Sequence, residues 1–167
     1  MAKAKPKGAA AAGTPATAAL LAAGVPFTAH PYTHDPAVSN YGLEAAKVLG
    51  IDPRQVFKTL MAEVNGTLVV AVVPVSGTLD LKALAGSLGH KKAAMADPAA
   101  AARRTGYVLG GISPLGQRQG SPTVVDASAL GFETIFVSGG RRGLDLELAP
   151  ADLLRLTNGS TAAIGAP

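Results

Sequence analysis

Val56-Phe57-Lys58-Thr59-Leu60-Met61-Ala62-Glu63-Val64, then Asn65-Gly66, then Thr67-Leu68-Val69-Val70-Ala71-Val72-Val73-Pro74-Val75 is the stretch that decides the fold. The first run is rich in strand formers and ends at Asn-Gly, the dipeptide best suited to a two-residue hairpin turn with positive φ. The returning run is apolar at nearly every position, which predicts a strand buried on both faces at the centre of a sheet. Lys58 stands inside this hairpin. A lysine among strand formers points either to solvent or into a site where its ammonium meets an anion or a carbonyl oxygen. The pattern leaves both open.

Towards the N-terminus the punctuation is helical. Thr14-Pro15 reads as N-cap and first helical residue of a helix that Gly24 ends. Val25 to Tyr32 reads as a short strand on which His30, Tyr32 and His34 alternate onto one face. Two imidazoles without a third ligand of matching spacing make a weak case for metal. Ser39 or Asn40 caps a helix that closes at Gly50, and Asp52-Pro53 opens one short turn.

Towards the C-terminus, Asp80 caps a helix to about Leu88, and Asp97-Pro98 starts another to about Arg104. Tyr107-Val108-Leu109-Gly110-Gly111-Ile112-Ser113-Pro114-Leu115-Gly116 reads as a strand end passing into a rigid loop. Paired glycines there could offer bare N–H groups to an ester or phosphate oxygen, or simply connect two strands. Pro122–Asp126, Glu133–Val137 and Leu144–Leu148 read as strands. The last alternates Leu-Asp-Leu-Glu-Leu, placing Asp145 and Glu147 on one face. Pro150 starts a final helix, and Ala162–Ile164 closes the sheet.

Mixed helices and hairpins predict an α+β fold: a single domain with a curved, mostly antiparallel mixed sheet surrounded by short helices. No Walker loop or dinucleotide fingerprint is present. A Ser-His-acid triad stays open, although no serine sits in Gly-x-Ser-x-Gly.

The 167 residues fit one domain with a sizeable core. With 48% hydrophobic but only 4% aromatic residues, that core is built from Val, Leu, Ile and Ala. There is no cysteine, which excludes disulfides, a protein thiol nucleophile and thiolate metal sites. The net charge of +4 includes Lys3, Lys5 and Lys7 in an Ala/Lys-rich stretch, so the remainder is near neutral. Residues 1–13 read as a disordered tail and 14–167 as the domain. No apolar run is long enough to span a membrane, and the expected location is the cytoplasm.

Phe57-Lys58-Thr59-Leu60, Gly110-Gly111-Ile112-Ser113-Pro114, and Phe136-Val137-Ser138-Gly139-Gly140 running into Leu144–Leu148 occur in this order in the YbaK-type aminoacyl-tRNA deacylases. Tyr41-Gly42-Leu43-Glu44-Ala45-Ala46 is also similar. The chain resembles that family over about residues 14–165, and most closely its Cys-tRNA(Pro) branch. The resemblance implies hydrolysis of mischarged Cys-tRNA(Pro), with Cys-tRNA(Cys) as a further substrate, by a route in which the substrate's own thiol attacks its ester. It implies no cofactor and no metal. The partners it implies are the aminoacylated tRNA 3′ end and prolyl-tRNA synthetase, with no membrane. The family's positions fall on Tyr32, Lys58, Gly110 or Gly111, Ser138 and Asp145. Lys58, Gly110 and Gly111 are expected to act in catalysis, and Tyr32, Ser138 and Asp145 to bind substrate. A deacylase of another aminoacyl-tRNA such as Ala-tRNA(Pro), or a non-catalytic tRNA- or synthetase-binding module, shares the same motifs.

Overall fold

The computed structural model describes residues 13–167; the tail expected over 1–13 lies outside them except for Gly13. Helices form at the capped segments. Thr14 makes a reciprocal capping box with Thr17 ahead of α1 (Pro15–Ala23), and Gly24 ends the helix in the left-handed conformation. Asn40 caps α2 (Tyr41–Leu49), Asp80 caps α3 (Leu81–Ser87), and Asp97 caps α4 (Pro98–Thr105). The last helix, α5 (Pro150–Thr157), begins on its proline with no side-chain cap.

The Asn-Gly hairpin is present as read. Strands β2 (Phe57–Val64) and β3 (Thr67–Pro74) pair antiparallel along their full length, from Phe57 opposite Pro74 to Val64 opposite Thr67. On its other side β3 pairs parallel with β6 (Thr123–Asp126), which pairs parallel with β9 (Ser160–Ala162). β3 is therefore internal, and Val69 to Val73 are at most 2% exposed. A second sheet carries β1 (Thr28–Pro31), β8 (Leu144–Leu148) and β7 (Ile135–Ser138), in the order β1-β8-β7 with antiparallel pairing. A parallel bridge from Val56 to Phe136 joins it to the start of β2.

One core unites the two sheets. Leu144, Leu146, Leu148, Ile135, Val137 and Ala29 pack with Phe57, Met61, Val70, Val72 and Val125. Ala62, Val69, Ala71, Val73, Leu84 and Ile164 fill the opposite face of the larger sheet.

Three short strands escape sequence reading. β4 (Thr78–Leu79) pairs with β10 (Gly165–Ala166), and β5 (Ala93–Met95) pairs with Ala62–Val64. Two or three residues carry no periodicity; each is a strand only because an edge lies beside it. The strand read over Val25–Tyr32 begins at Thr28, although Tyr32 N–H still donates to Gly143 O at 2.8 Å.

The larger correction concerns Tyr107-Val108-Leu109. This run is not the end of a strand. Gly111 N–H donates to Val108 O at 2.9 Å and Gly110 has φ +85°, the pattern of a β-turn with glycine at its third position. Two of its apolar residues are held out in water by the turn and not paired in a sheet: Val108 is 65% and Leu109 61% exposed. Tyr107 alone is buried, its hydroxyl donating to Leu115 O at 2.6 Å.

Candidate active site

β-pairing places the polar face of β8. Asp145 lies opposite His30 on one side and opposite Ser138 on the other. Directly opposed residues share a face, so the three side chains form a row across the small sheet. Leu144, Leu146 and Leu148 occupy the other face, in the core. The polar side of the Leu-Asp-Leu-Glu-Leu alternation is thus not a solvated one at Asp145, which is 6% exposed.

That side lines a cavity of about 500 Å³. Tyr32, Lys58, Gly110, Ser138 and Asp145 all reach it. Five residues from five separate segments are brought together. The sixth residue read as functional, Gly111, does not line the cavity; it is buried against the Arg141 backbone. Its N–H is already committed to Val108 O, so it is not a free oxyanion donor. Among the described residues none accepts from the N–H of Gly110.

Lys58 reaches into the cavity rather than out to solvent. Its Nζ donates to Gly77 O at 2.8 Å, and burial lowers its pKa while leaving an ammonium with two further protons. Asp145 has no hydrogen-bond partner among the described residues, and burial pushes its carboxyl up to about 7. Burial and the neighbouring Asp145 push the Tyr32 phenol up to about 12, so it stays a donor. Ser138 Oγ accepts from Gly140 N–H at 3.2 Å.

A Ser-His-acid triad does not form. In the row His30–Asp145–Ser138 the carboxylate lies in the middle, where a relay needs the imidazole. His30 Nε2 instead meets Glu147 Oε1 at 2.9 Å, and His34 Nδ1 meets Glu44 Oε1 at 2.6 Å. The two imidazoles that suggested a metal each pair with a different carboxylate.

The structure adds cavity residues to which the sequence assigned no role. Ser39, Asn40, Tyr41 and Gly42 bring the start of α2 to the cavity, and Arg141 comes from the β7–β8 turn. Thr59 is the most telling. Its Oγ1 is fully enclosed without a hydrogen-bond partner among the described residues, and it belongs to a cavity-lining residue. Val56 O accepts from Val75 N–H and Met61 O from Ala96 N–H. Odd-numbered residues of β2 therefore turn their main chain away from β3. On that side β7 meets only Val56 and β5 only Ala62–Val64, so Thr59 lies on an unpaired stretch of edge. No sequence pattern marks this gap, since it depends on where two other strands stop.

Gly110 is required twice over. Its φ of +85° is in the left-handed region, and a Cβ there would overlap the Tyr41 ring and sit 2.9 Å from Arg142 Nε. Arg142 closes this corner, its guanidinium 4.6 Å above the Tyr41 ring and its Nη2 donating to Leu109 O at 2.7 Å. Gly110→Ala is expected to cost about 1–3 kcal/mol from backbone strain alone, read as a lower urea midpoint.

With this geometry in place, comparison with known proteins is decisive. Residues 35–156 match the model of the aminoacyl-tRNA editing domain. The chain belongs to the aminoacyl-tRNA editing domain family. A relative in Enterococcus faecalis (strain ATCC 700802 / V583), named as a candidate Cys-tRNA(Pro)/Cys-tRNA(Cys) deacylase, EbsC, is 44% identical over 120 residues, covering 71% of this chain and 73% of that one. Among solved structures, a candidate trans-editing enzyme for prolyl-tRNA synthetase superposes with a TM-score of 0.80 at 24% identity, covering 92% of this chain and 96% of that one. A hypothetical protein, APE2540, superposes with a TM-score of 0.78 at 25% identity, covering 88% and 96%. The match to the editing domain spans the start of α2, the hairpin, the 108–111 turn and the β7–β8 strands, that is, every cavity wall except Tyr32.

Proposed function

We propose that this editing domain is a deacylase that removes cysteine from mischarged tRNA(Pro), and that the substrate's own thiol is the nucleophile. The observation that carries this reading is the cavity's complement of groups. It holds a buried, unpartnered carboxyl at Asp145 and an ammonium at Lys58, while Ser138 has a carboxyl and not an imidazole beside it. Such a site can orient and polarise an ester but has no activated nucleophile of its own.

In this mechanism Asp145 takes the α-ammonium of the aminoacyl group or a ribose hydroxyl. Lys58 holds a phosphate or ribose oxygen of the terminal nucleotide, fixing the ester in a reactive geometry. The sulfur then attacks its own carbonyl carbon. A C–S bond forms, the ester C–O bond breaks, and the thiol proton passes to the departing ribose oxygen, leaving a free tRNA 3′ end and a cyclic thiolactone. The Gly110 N–H is the donor that would meet the developing oxyanion. Selection follows from chemistry rather than fit. A pocket separates side chains differing by one small group by only about 1–3 kcal/mol, whereas alanine brings no nucleophile at all.

The near-neutral body argues for weak tRNA contact of its own, with tRNA(Pro) selected in a complex with prolyl-tRNA synthetase. The test is deacylation of Cys-tRNA(Pro) beside Ala-tRNA(Pro) and S-methylcysteinyl-tRNA(Pro). Loss of cysteine alone supports the thiol-assisted route. Equal loss of alanine or of the S-methyl substrate defeats it, as would an acyl adduct on Ser138 seen by mass spectrometry.

Thr59→Val offers an independent check. Removing an unsatisfied buried hydroxyl leaves stability unchanged or slightly higher. If that hydroxyl is reserved for substrate, kcat/KM falls about five- to tenfold. Unchanged turnover would reduce Thr59 to a packing residue.

A further inference from the structure

The turn that corrects the sequence reading also presents a surface the proposed chemistry does not use. Val108 and Leu109 project from it side by side, each more than 60% exposed. The turn is held from several directions: Gly111 N–H to Val108 O, Arg142 Nη2 to Leu109 O, Gly110 against the Tyr41 ring, and Gly111 on the Arg141 backbone. Two apolar side chains are therefore displayed on a fixed support.

Their position is continuous with the site. Leu109 lines the cavity while most of its surface stays in water, so it forms part of the rim. Arg141 lines the same cavity, is exposed, and forms no ion pair among the described residues. An apolar platform beside an unpaired guanidinium matches one ligand chemistry well: a nucleobase, whose flat face is apolar, followed by its anionic phosphate.

We infer that Val108 and Leu109 form a platform at the cavity rim on which the 3′-terminal adenine of the tRNA stacks, with Arg141 taking the adjoining phosphate. This rests on the deacylase reading for its substrate. It adds that the enzyme holds the terminal nucleotide by its base, not only the aminoacyl group.

The test uses the Val108→Ser/Leu109→Ser double variant of the full chain and two substrates, Cys-tRNA(Pro) and cysteine ethyl ester, which has no base. The expected result is a KM for the tRNA raised about tenfold, with kcat little changed, so that activity on tRNA relative to ester falls by a similar factor. Uncharged tRNA(Pro) ending in 2-aminopurine gives a direct readout: its fluorescence changes on binding the wild type and not on binding the variant. An equal loss on both substrates overturns the platform, because the loop then serves the chemistry or the fold. An unchanged KM and an unchanged 2-aminopurine signal also overturn it, and would assign the exposed pair to a protein partner. If the wild type cleaves neither substrate, the deacylase reading fails, while the 2-aminopurine signal still decides the platform.

Discussion

Lys58→Ala lowers kcat/KM for Cys-tRNA(Pro) by about a hundredfold or more, with little loss of stability. The ammonium is half-buried at the start of the central hairpin, anchored by one hydrogen bond to Gly77 O at 2.8 Å and with two protons left to give. A charge-assisted hydrogen bond in a partly desolvated cavity is worth about twice a neutral one, and an interaction made to the reacting ester appears in the barrier itself. The hundredfold loss corresponds to about 2.7 kcal/mol. Stability changes little because the variant loses a single hydrogen bond to a main-chain carbonyl and sheds the desolvation that lowers this lysine's pKa. The assay is single-turnover deacylation together with a thermal melt. A variant that binds tRNA less tightly but turns over at the wild-type rate would move Lys58 from catalysis to binding. A variant with wild-type kcat/KM would remove it from the site altogether.

Asp145→Asn has opposite effects on activity and stability. An unfolded aspartate titrates near 3.9, whereas burial raises the folded carboxyl to about 7. Between those pH values the native state keeps a proton that the unfolded state has released, so stability falls as pH rises through this window. Well above pH 7 the native protein carries a buried, unpartnered carboxylate, at a cost of about 4 kcal/mol relative to its neutral form. Asparagine keeps the shape and removes the charge. At pH 8 the variant is therefore expected to melt at least about 5 °C above the wild type, with the gap narrowing towards pH 5. Activity moves the other way: the loss of a carboxylate placed to take an ammonium lowers kcat/KM about a hundredfold. A kcat/KM that rises with pH through about 7 in the wild type should lose that limb in the variant. Melting temperatures that coincide at pH 8 would show that Asp145 finds a partner in solution.

These two residues illustrate how differently parts of the molecule were legible. The Asn65-Gly66 hairpin and the helix starts at Thr14-Pro15 and Asp97-Pro98 were fixed by local chemistry: positive φ, a capping hydroxyl and carboxylate, and the proline that needs no donor. Alternation marked Asp145 as lying opposite the core-facing leucines, and the family resemblance grouped it with Tyr32, Lys58, Ser138 and the glycine pair. Alternation alone could not say whether the polar side of β8 faced water. That was decided by the pairing of His30, Asp145 and Ser138 across three strands and by α2 and the 108–111 turn closing over them.

Where long-range contacts decide, the sequence was silent or misleading. Gly110 and Gly111 look equivalent in the chain, yet one lines the cavity and the other is buried with its N–H spent. Val108 and Leu109 look like strand residues, yet a turn exposes them. Thr59 looks like any strand threonine, yet the strands that could pair its edge stop short of it. The sequence by itself determined the main helices, the main hairpin and the central strand, because each is written in contacts a few residues apart. Only the tertiary structure decided which of those residues face the cavity, which donors remain free and where an edge is left open, because those depend on segments a hundred residues apart in the chain meeting at one place.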